Sequence, residues 1–154
     1  MKQIILIISL ILSSMLYAQE NLTLYYFGAT SCGWCNTPDC ISSINKMHKE
    51  FKEIHKEYNV KFVMVCMDSD IKEGLKLIDK YGYWDEISIG SFYYNELVMN
   101  YLDKTKIPDV PHIIVFKDQY ENESTPIIKK RITIKDIVGE KEIKEWVDNK
   151  CPLE

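Results

Sequence analysis

Three cysteines, Cys32, Cys35 and Cys40, fall within nine positions of the stretch SCGWCNTPDC at residues 31–40. Sulfur ligates metal, bridges chain segments or exchanges electrons, and spacing decides which chemistry is open. The first two cysteines are separated by two residues and sit where a strand-like run, LTLYYFG, gives way to a helical pattern. At a helix start, unpaired N–H groups favour a thiolate, which makes Cys32 the expected nucleophile. Cys35 lies one turn further on, where it can attack a mixed disulfide formed at Cys32 and release the substrate. Gly33 permits close backbone approach, and Trp34 is expected at the exposed rim.

Two other readings of the pair stand beside exchange. One is a permanent structural disulfide. The other is a four-ligand metal site built from Cys32, Cys35, Cys40 and a histidine, although C-x2-C-x4-C lacks the second paired half that marks most such sites. Cys40 reads as a third thiol that resolves or regulates Cys35, as a partner for Cys151, or as a buried free thiol. Cys66 lies in an apolar run and reads as core; Cys151 trails the last helix, where it faces Cys40 or a second chain. With five cysteines, one is left without an intrachain partner.

The elements that must position these groups alternate between strand and helix. LTLYYFG (22–28) and VKFVMVCM (60–67) read as buried strands. Between them Ile41, Ile44, Met47, Phe51, Ile54 and Tyr58 recur at steps of three and four, one face of a helix. Strand, helix and strand make a parallel βαβ unit. Further on, a helix is expected over 71–82 with Gly82 closing it, a short strand over 86–90, and a helix over 92–104 capped by Ser91. His112–Phe116 and residues 126–134 read as an antiparallel hairpin, and 139–150 as an amphipathic helix with Ile143, Trp146 and Val147 inward. His112, at a strand start, reads as an acid or base for the thiolate or as a surface or hydrogen-bonded residue. His48 and His55 read as the solvent edge of the long helix. Seven aromatics between 81 and 101 read mostly as core packing.

The chain has 154 residues, 46% of them hydrophobic, and no repeat or Gly/Ser linker, so one domain is expected. Residues 1–18 combine Lys2, an apolar run from Ile4 to about Leu16 and the small residue Ala18, the pattern of a secretory signal peptide. The run is shorter than the ~20 residues a spanning helix needs, so contact with a membrane is expected only through that segment. Cleavage moves the formal charge from −4 to −5 by removing Lys2. The longest basic cluster is KKR at 129–131, too little to neutralise a phosphate backbone, so nucleic acid is not an expected partner. Export places the cysteines where disulfides persist.

YYFGATSCGWC, the prolines of IPDVPHIIVF and IVGEKEIKEWV follow one another in the order of thioredoxin-like proteins, which residues 19–154 resemble over nearly their whole length. The long segment between CMDSD and Pro111 resembles the extracytoplasmic cytochrome-maturation type of thiol-disulfide oxidoreductase. The resemblance implies an α/β thioredoxin-like fold: a central mixed sheet flanked by helices, with an inserted helix-strand-helix segment before a cis-proline. It places the cis-proline role on Pro111, with Pro108 as rival, and gives Val110 the backbone contact to an extended substrate. It implies an exported, periplasmic or secreted oxidoreductase that exchanges disulfides with protein thiols through Cys32 and Cys35, served by a redox partner protein and needing neither cofactor nor metal. The alternative is a non-catalytic thioredoxin-like binding module. The chain departs from the family pattern at Ser31, where Trp is frequent, and at Tyr26, where thioredoxin has a buried acid. It also has Met64 near the expected lysine and Pro38 at a frequent glutamate position, so the sequence shows no proton acceptor for Cys35.

Overall fold

Leucine and aromatic residues dominate the first strand, and all but its first residue are buried. Such a run is stable only between two covered faces. The computed structural model describes residues 20–120 and 127–154. The signal segment expected over 1–18 lies outside the described residues. Among the described residues, no helix is long and apolar enough to cross a membrane.

The chain forms β1 (Asn21–Gly28), α1 (Pro38–Ile54), β2 (Asn59–Cys66), α2 (Ile71–Ile78), β3 (Glu86–Ile89), α3 (Glu96–Asn100), β4 (His112–Tyr120), β5 (Ile128–Val138) and α4 (Glu140–Asp148). The strands lie in the order β3-β2-β1-β4-β5. β1, β2 and β3 are parallel, while β4 and β5 run antiparallel to their neighbours. The Val110–Pro111 peptide bond, immediately before β4, is cis. This is the expected thioredoxin-like architecture: a five-stranded mixed sheet flanked by four helices, with α2, β3 and α3 inserted before the cis-proline.

Alternation along β1 sends Leu22, Leu24 and Tyr26 to one face of the sheet and Tyr25 and Phe27 to the other. The first face packs against Ile44, Met47 and Phe51 of α1 and Ile143, Trp146 and Val147 of α4. The second is covered by Val98 of α3 and by Leu102, alongside Val63, Val65, Ile114 and Phe116. Deep within the second face, Arg131 forks onto Asp118 (Nε to Oδ1 2.6 Å, Nη2 to Oδ2 2.7 Å). The same carboxylate accepts from the Thr23 hydroxyl at 2.6 Å. Arg131 also donates to the hydroxyls of Tyr25 (3.0 Å) and Tyr101 (2.7 Å).

Several local expectations are corrected. The helix expected over 92–104 shortens to α3 and a 3-10 turn at Leu102–Lys104. Asn95, not Ser91, is the cap: its side chain accepts the Leu97 N–H at 3.0 Å, and the Phe92-Tyr93-Tyr94 run stays in a turn outside the helix. Because α3 buries only Val98, the aromatics around it are not mainly core. Tyr81 and Trp84 are buried, whereas Tyr83, Phe92, Tyr93 and Tyr94 are exposed. α2 ends at Ile78, before Gly82, whose φ is +78°. His55 is buried, bonded through Nε2 to the Cys151 carbonyl at 2.9 Å, and His48 is half-buried, so neither marks a solvent edge.

Candidate functional site

The loop leaving β1 turns sharply, with the Cys32 N–H donating to the Ala29 carbonyl at 3.1 Å. It continues into a 3-10 turn, Trp34–Asn36, before α1 starts afresh with Pro38 at its first position and Thr37 as cap. Proline has no N–H to lose at that place and its φ suits the first turn. The Thr37 hydroxyl accepts the Cys40 N–H at 3.2 Å and donates to the Glu140 carboxylate at the start of α4. Cys32 therefore sits on a short turn of its own and not at the mouth of the long helix. The N–H aimed at its sulfur is that of Cys35, at 3.0 Å.

Cys32 and Cys35 are joined by a disulfide, with Cα atoms 5.3 Å apart. Cys35 is fully buried and Cys32 half-buried, so the two sulfurs differ in what can reach them. Cys32 lies at a groove of about 330 Å³ lined by Trp34, Met67, Phe92, Asp109 and Val110 among others. Trp34 is 65% exposed at its rim. The Val110 carbonyl oxygen is 3.5 Å from Cys32 Sγ, so the loop before β4 lies against the disulfide. Gly33 has open space where a Cβ would be.

Side chains that sequence reasoning passed over hold this loop. Asp68 accepts the Thr30 N–H on both carboxylate oxygens (3.2 and 3.0 Å) and the Thr30 hydroxyl. It also accepts the thiol of Cys66 at 2.8 Å. Asn36 donates to the carbonyls of Thr30 (3.0 Å) and Cys32 (2.8 Å), and Lys80 donates to the Asn36 side-chain oxygen at 2.7 Å. The available signal was position: Asp68 follows the C-terminal end of a parallel strand, where open α/β sheets gather their functional loops.

Beneath Cys35 there is no carboxylate at the thioredoxin position but a neutral chain of hydroxyls. Tyr81 donates to the Cys35 carbonyl, the Tyr26 and Tyr81 hydroxyls are 2.9 Å apart, and Tyr26 lies 3.5 Å from Cys40 Sγ. A carbonyl only accepts, which commits the Tyr81 proton; Tyr26 must then donate to Tyr81, and the Cys40 thiol to Tyr26. Burial raises both tyrosines and the Cys40 thiol above their ordinary pKa values, so all three stay protonated. Cys40 thus points into the core, away from any shared ligand set with the pair. Cys40, Cys66 and Cys151 are free, buried thiols, so of the readings open for Cys40 the structure has the buried free thiol and not the pairing with Cys151. His112 is fully buried, with Nδ1 bonded to the Asp109 carbonyl (3.1 Å) and Nε2 to the Asp136 carboxylate (2.5 Å). Both ring nitrogens are engaged, which corrects the acid-base reading in favour of the hydrogen-bonded one. Among the described residues, no group of three or more His, Cys, Asp or Glu is arranged to hold a metal ion.

Neither a protein-family model nor a curated protein matches the sequence. Solved structures do. The thioredoxin domain of a thiol-disulfide oxidoreductase from Bacteroides vulgatus is 16% identical with a TM-score of 0.47, covering 87% of this chain and 81% of that one. A thiol-disulfide oxidoreductase from Bacteroides fragilis is 18% identical with a TM-score of 0.47, covering 72% and 71%. A thiol:disulfide interchange protein from a Bacteroides species is 18% identical with a TM-score of 0.44, covering 85% and 73%. At these values each is a likeness only. Strand order, register and the cis bond before β4 carry the assignment: the chain has a thioredoxin-like fold, with a CxxC disulfide on the loop after its first strand.

Proposed function

We propose that the protein is an exported thiol-disulfide oxidoreductase acting on protein thiols and disulfides. The observation that carries this reading is the inequality of the two sulfurs. Cys32 borders an open groove and Cys35 is sealed beneath it. In the oxidised protein, a client thiolate attacks Cys32 Sγ, the Cys32–Cys35 bond breaks, and Cys35 leaves with the electron pair. A second client thiolate attacks the client sulfur of the mixed disulfide and releases Cys32 as a thiolate, leaving the client oxidised and the pair reduced. In the reverse direction, the Cys32 thiolate attacks a client disulfide, and Cys35 then displaces the client from Cys32. The Cys35 N–H, 3.0 Å from Cys32 Sγ, stabilises the Cys32 thiolate in both directions. Val110, ahead of Pro111, offers its backbone to an extended client, while Gly33 and Trp34 form the near wall. Electrons pass by exchange between sulfurs, so the chemistry calls for no cofactor, and a second redox protein resets the pair.

The test is equilibration of the protein from residue 19 onward in dithiothreitol or glutathione buffers, with each cysteine alkylated and mapped by mass. A reversible two-electron titration confined to Cys32 and Cys35 is expected. Cys32→Ser should abolish exchange, and Cys35→Ser should accumulate mixed disulfides with clients. A pair that never titrates reversibly would leave the binding-module reading in its place. Export is tested separately, by the N-terminal residue of the protein recovered from cells.

A further inference from the structure

An extended client that adds to the 108–111 loop as a strand needs both main-chain groups of Val110, because strand addition is built on N–H and C=O pairs. Of the two, the N–H is already engaged from within the chain, whereas a disulfide sulfur has no proton to give the carbonyl. The carbonyl faces Cys32 Sγ at 3.5 Å, and the N–H donates to Oδ1 of Asp109 at 2.8 Å. The Asp109 main chain is anchored, its N–H donating to the Ile107 carbonyl (2.9 Å) and its own carbonyl accepting from His112 Nδ1 (3.1 Å). Its residue is exposed, so the carboxylate can swing away from Val110 without any movement of the loop. Among the residues lining the groove, Asp109 is the one with a charged side chain; the walls are Trp34, Met67, Phe92 and other uncharged residues.

We infer that Asp109 is a detachable cover on the Val110 edge and that it selects clients carrying Lys or Arg beside the reacting cysteine. This rests on the exchange reading and names its substrate class. When a client strand takes the Val110 N–H, the carboxylate loses a charge-assisted hydrogen bond and faces an otherwise uncharged groove. A neutral client leaves that loss uncompensated, and an acidic one adds repulsion. A client with a cation one or two residues from its cysteine replaces the lost partner. Discrimination therefore comes from a repulsive element as much as from an attractive one.

The experiment uses Cys35→Ser protein and single-cysteine peptides activated as thionitrobenzoate disulfides, with Lys, Ala or Glu flanking the cysteine. The Cys32 thiolate attacks the peptide sulfur, the bond to thionitrobenzoate breaks, and that thiolate departs with the electron pair and is read by absorbance. Because a lysine beside a disulfide speeds attack by any thiolate, each ratio is divided by the ratio found with a small free thiol. The corrected Lys-to-Glu rate ratio is expected near tenfold at low salt and to shrink as salt rises. Adding Asp109→Ala should bring the ratio below about twofold and raise the rate with the Ala peptide, since its cover is gone; Asp109→Lys should invert the order. An unchanged ratio in Asp109→Ala, or a slower Ala peptide, overturns the inference while leaving exchange intact. Failure of every peptide to release thionitrobenzoate overturns both this inference and the exchange reading.

Discussion

The two faces of the sheet solve the burial of polar groups in opposite ways. On the face away from α1, Arg131 and Asp118 form a charged pair, Arg131 donating to both Asp118 oxygens and to two tyrosine hydroxyls. On the face beneath the disulfide, Tyr26, Tyr81 and Cys40 bury hydroxyls and a thiol with no charge among them. A buried ion pair fixes geometry but becomes a liability once one partner is lost. Neutral groups that only hand on hydrogen bonds tolerate a neighbour whose charge changes, as the proposed exchange requires of the pair. The charged cluster thus braces β1, β4 and β5, while the neutral one lies under the Cys32–Cys35 disulfide.

The strongest way to break this contrast is Arg131→Met. It leaves the wholly buried Asp118 side chain without its cation, and urea unfolding should show a loss of about 3–5 kcal/mol. Arg131→Met with Asp118→Leu should recover part of that loss, because no charge is then stranded. A single mutant within about 1 kcal/mol of wild type would deny the cluster its bracing role.

The neutral face makes a pH prediction. His48 donates from Nδ1 to the Tyr81 carbonyl (3.1 Å) and stands against the rings of Trp84 and Phe62, and burial lowers its pKa from 6.5 to about 4. Its folded value lies below its unfolded one, so its contribution to stability is whole above pH 6.5 and is lost as pH falls toward 4. The loss over that window should be on the order of 2–3 kcal/mol. His48→Gln should flatten this part of the stability profile; an unaltered slope would place the acid sensitivity elsewhere.

Tyr81→Phe removes one hydroxyl from the chain and leaves the Tyr26 proton and the Cys35 carbonyl to find other partners. A cost of about 1–2 kcal/mol is expected in the same unfolding assay, smaller than that of Arg131→Met. The subtlest test is chemical. Burial pushes Cys66 and Cys151 up to about 12, Cys66 with help from its bond to Asp68. Iodoacetamide at pH 8 should therefore modify reduced native protein at Cys32 first and spare Cys40, Cys66 and Cys151 until it unfolds. Early labelling of Cys40 would mean that the neutral face opens.

What the sequence disclosed follows from how local each signal is. The apolar runs of β1 and β2 and the periodic face of α1 lie within short windows, and the order of CxxC, proline pair and final helix carried the resemblance that implied the fold. Hydrogen bonds between distant segments were illegible. Nothing near Asp68 tells that it will grip Thr30, and nothing near Tyr26 tells that Tyr81 will meet it from the inserted segment. Asn95 displaced Ser91 as a cap because it also bonds Ser88 across the β3–α3 turn, a contact visible only once the turn exists. Asp109 went unread for the opposite reason: its contact is with the very next residue, too short to leave a pattern.

Tyr81 also bears on the order in which the chain is made. Cys32, Cys35 and Cys40 leave the ribosome together, whereas Tyr81, which bonds the Tyr26 hydroxyl beside Cys40, arrives only with the inserted segment. The inserted segment thus completes the separation of the three sulfurs: with Tyr81 docked on Tyr26, Cys40 is a buried thiol and Cys32 and Cys35 are the bonded pair.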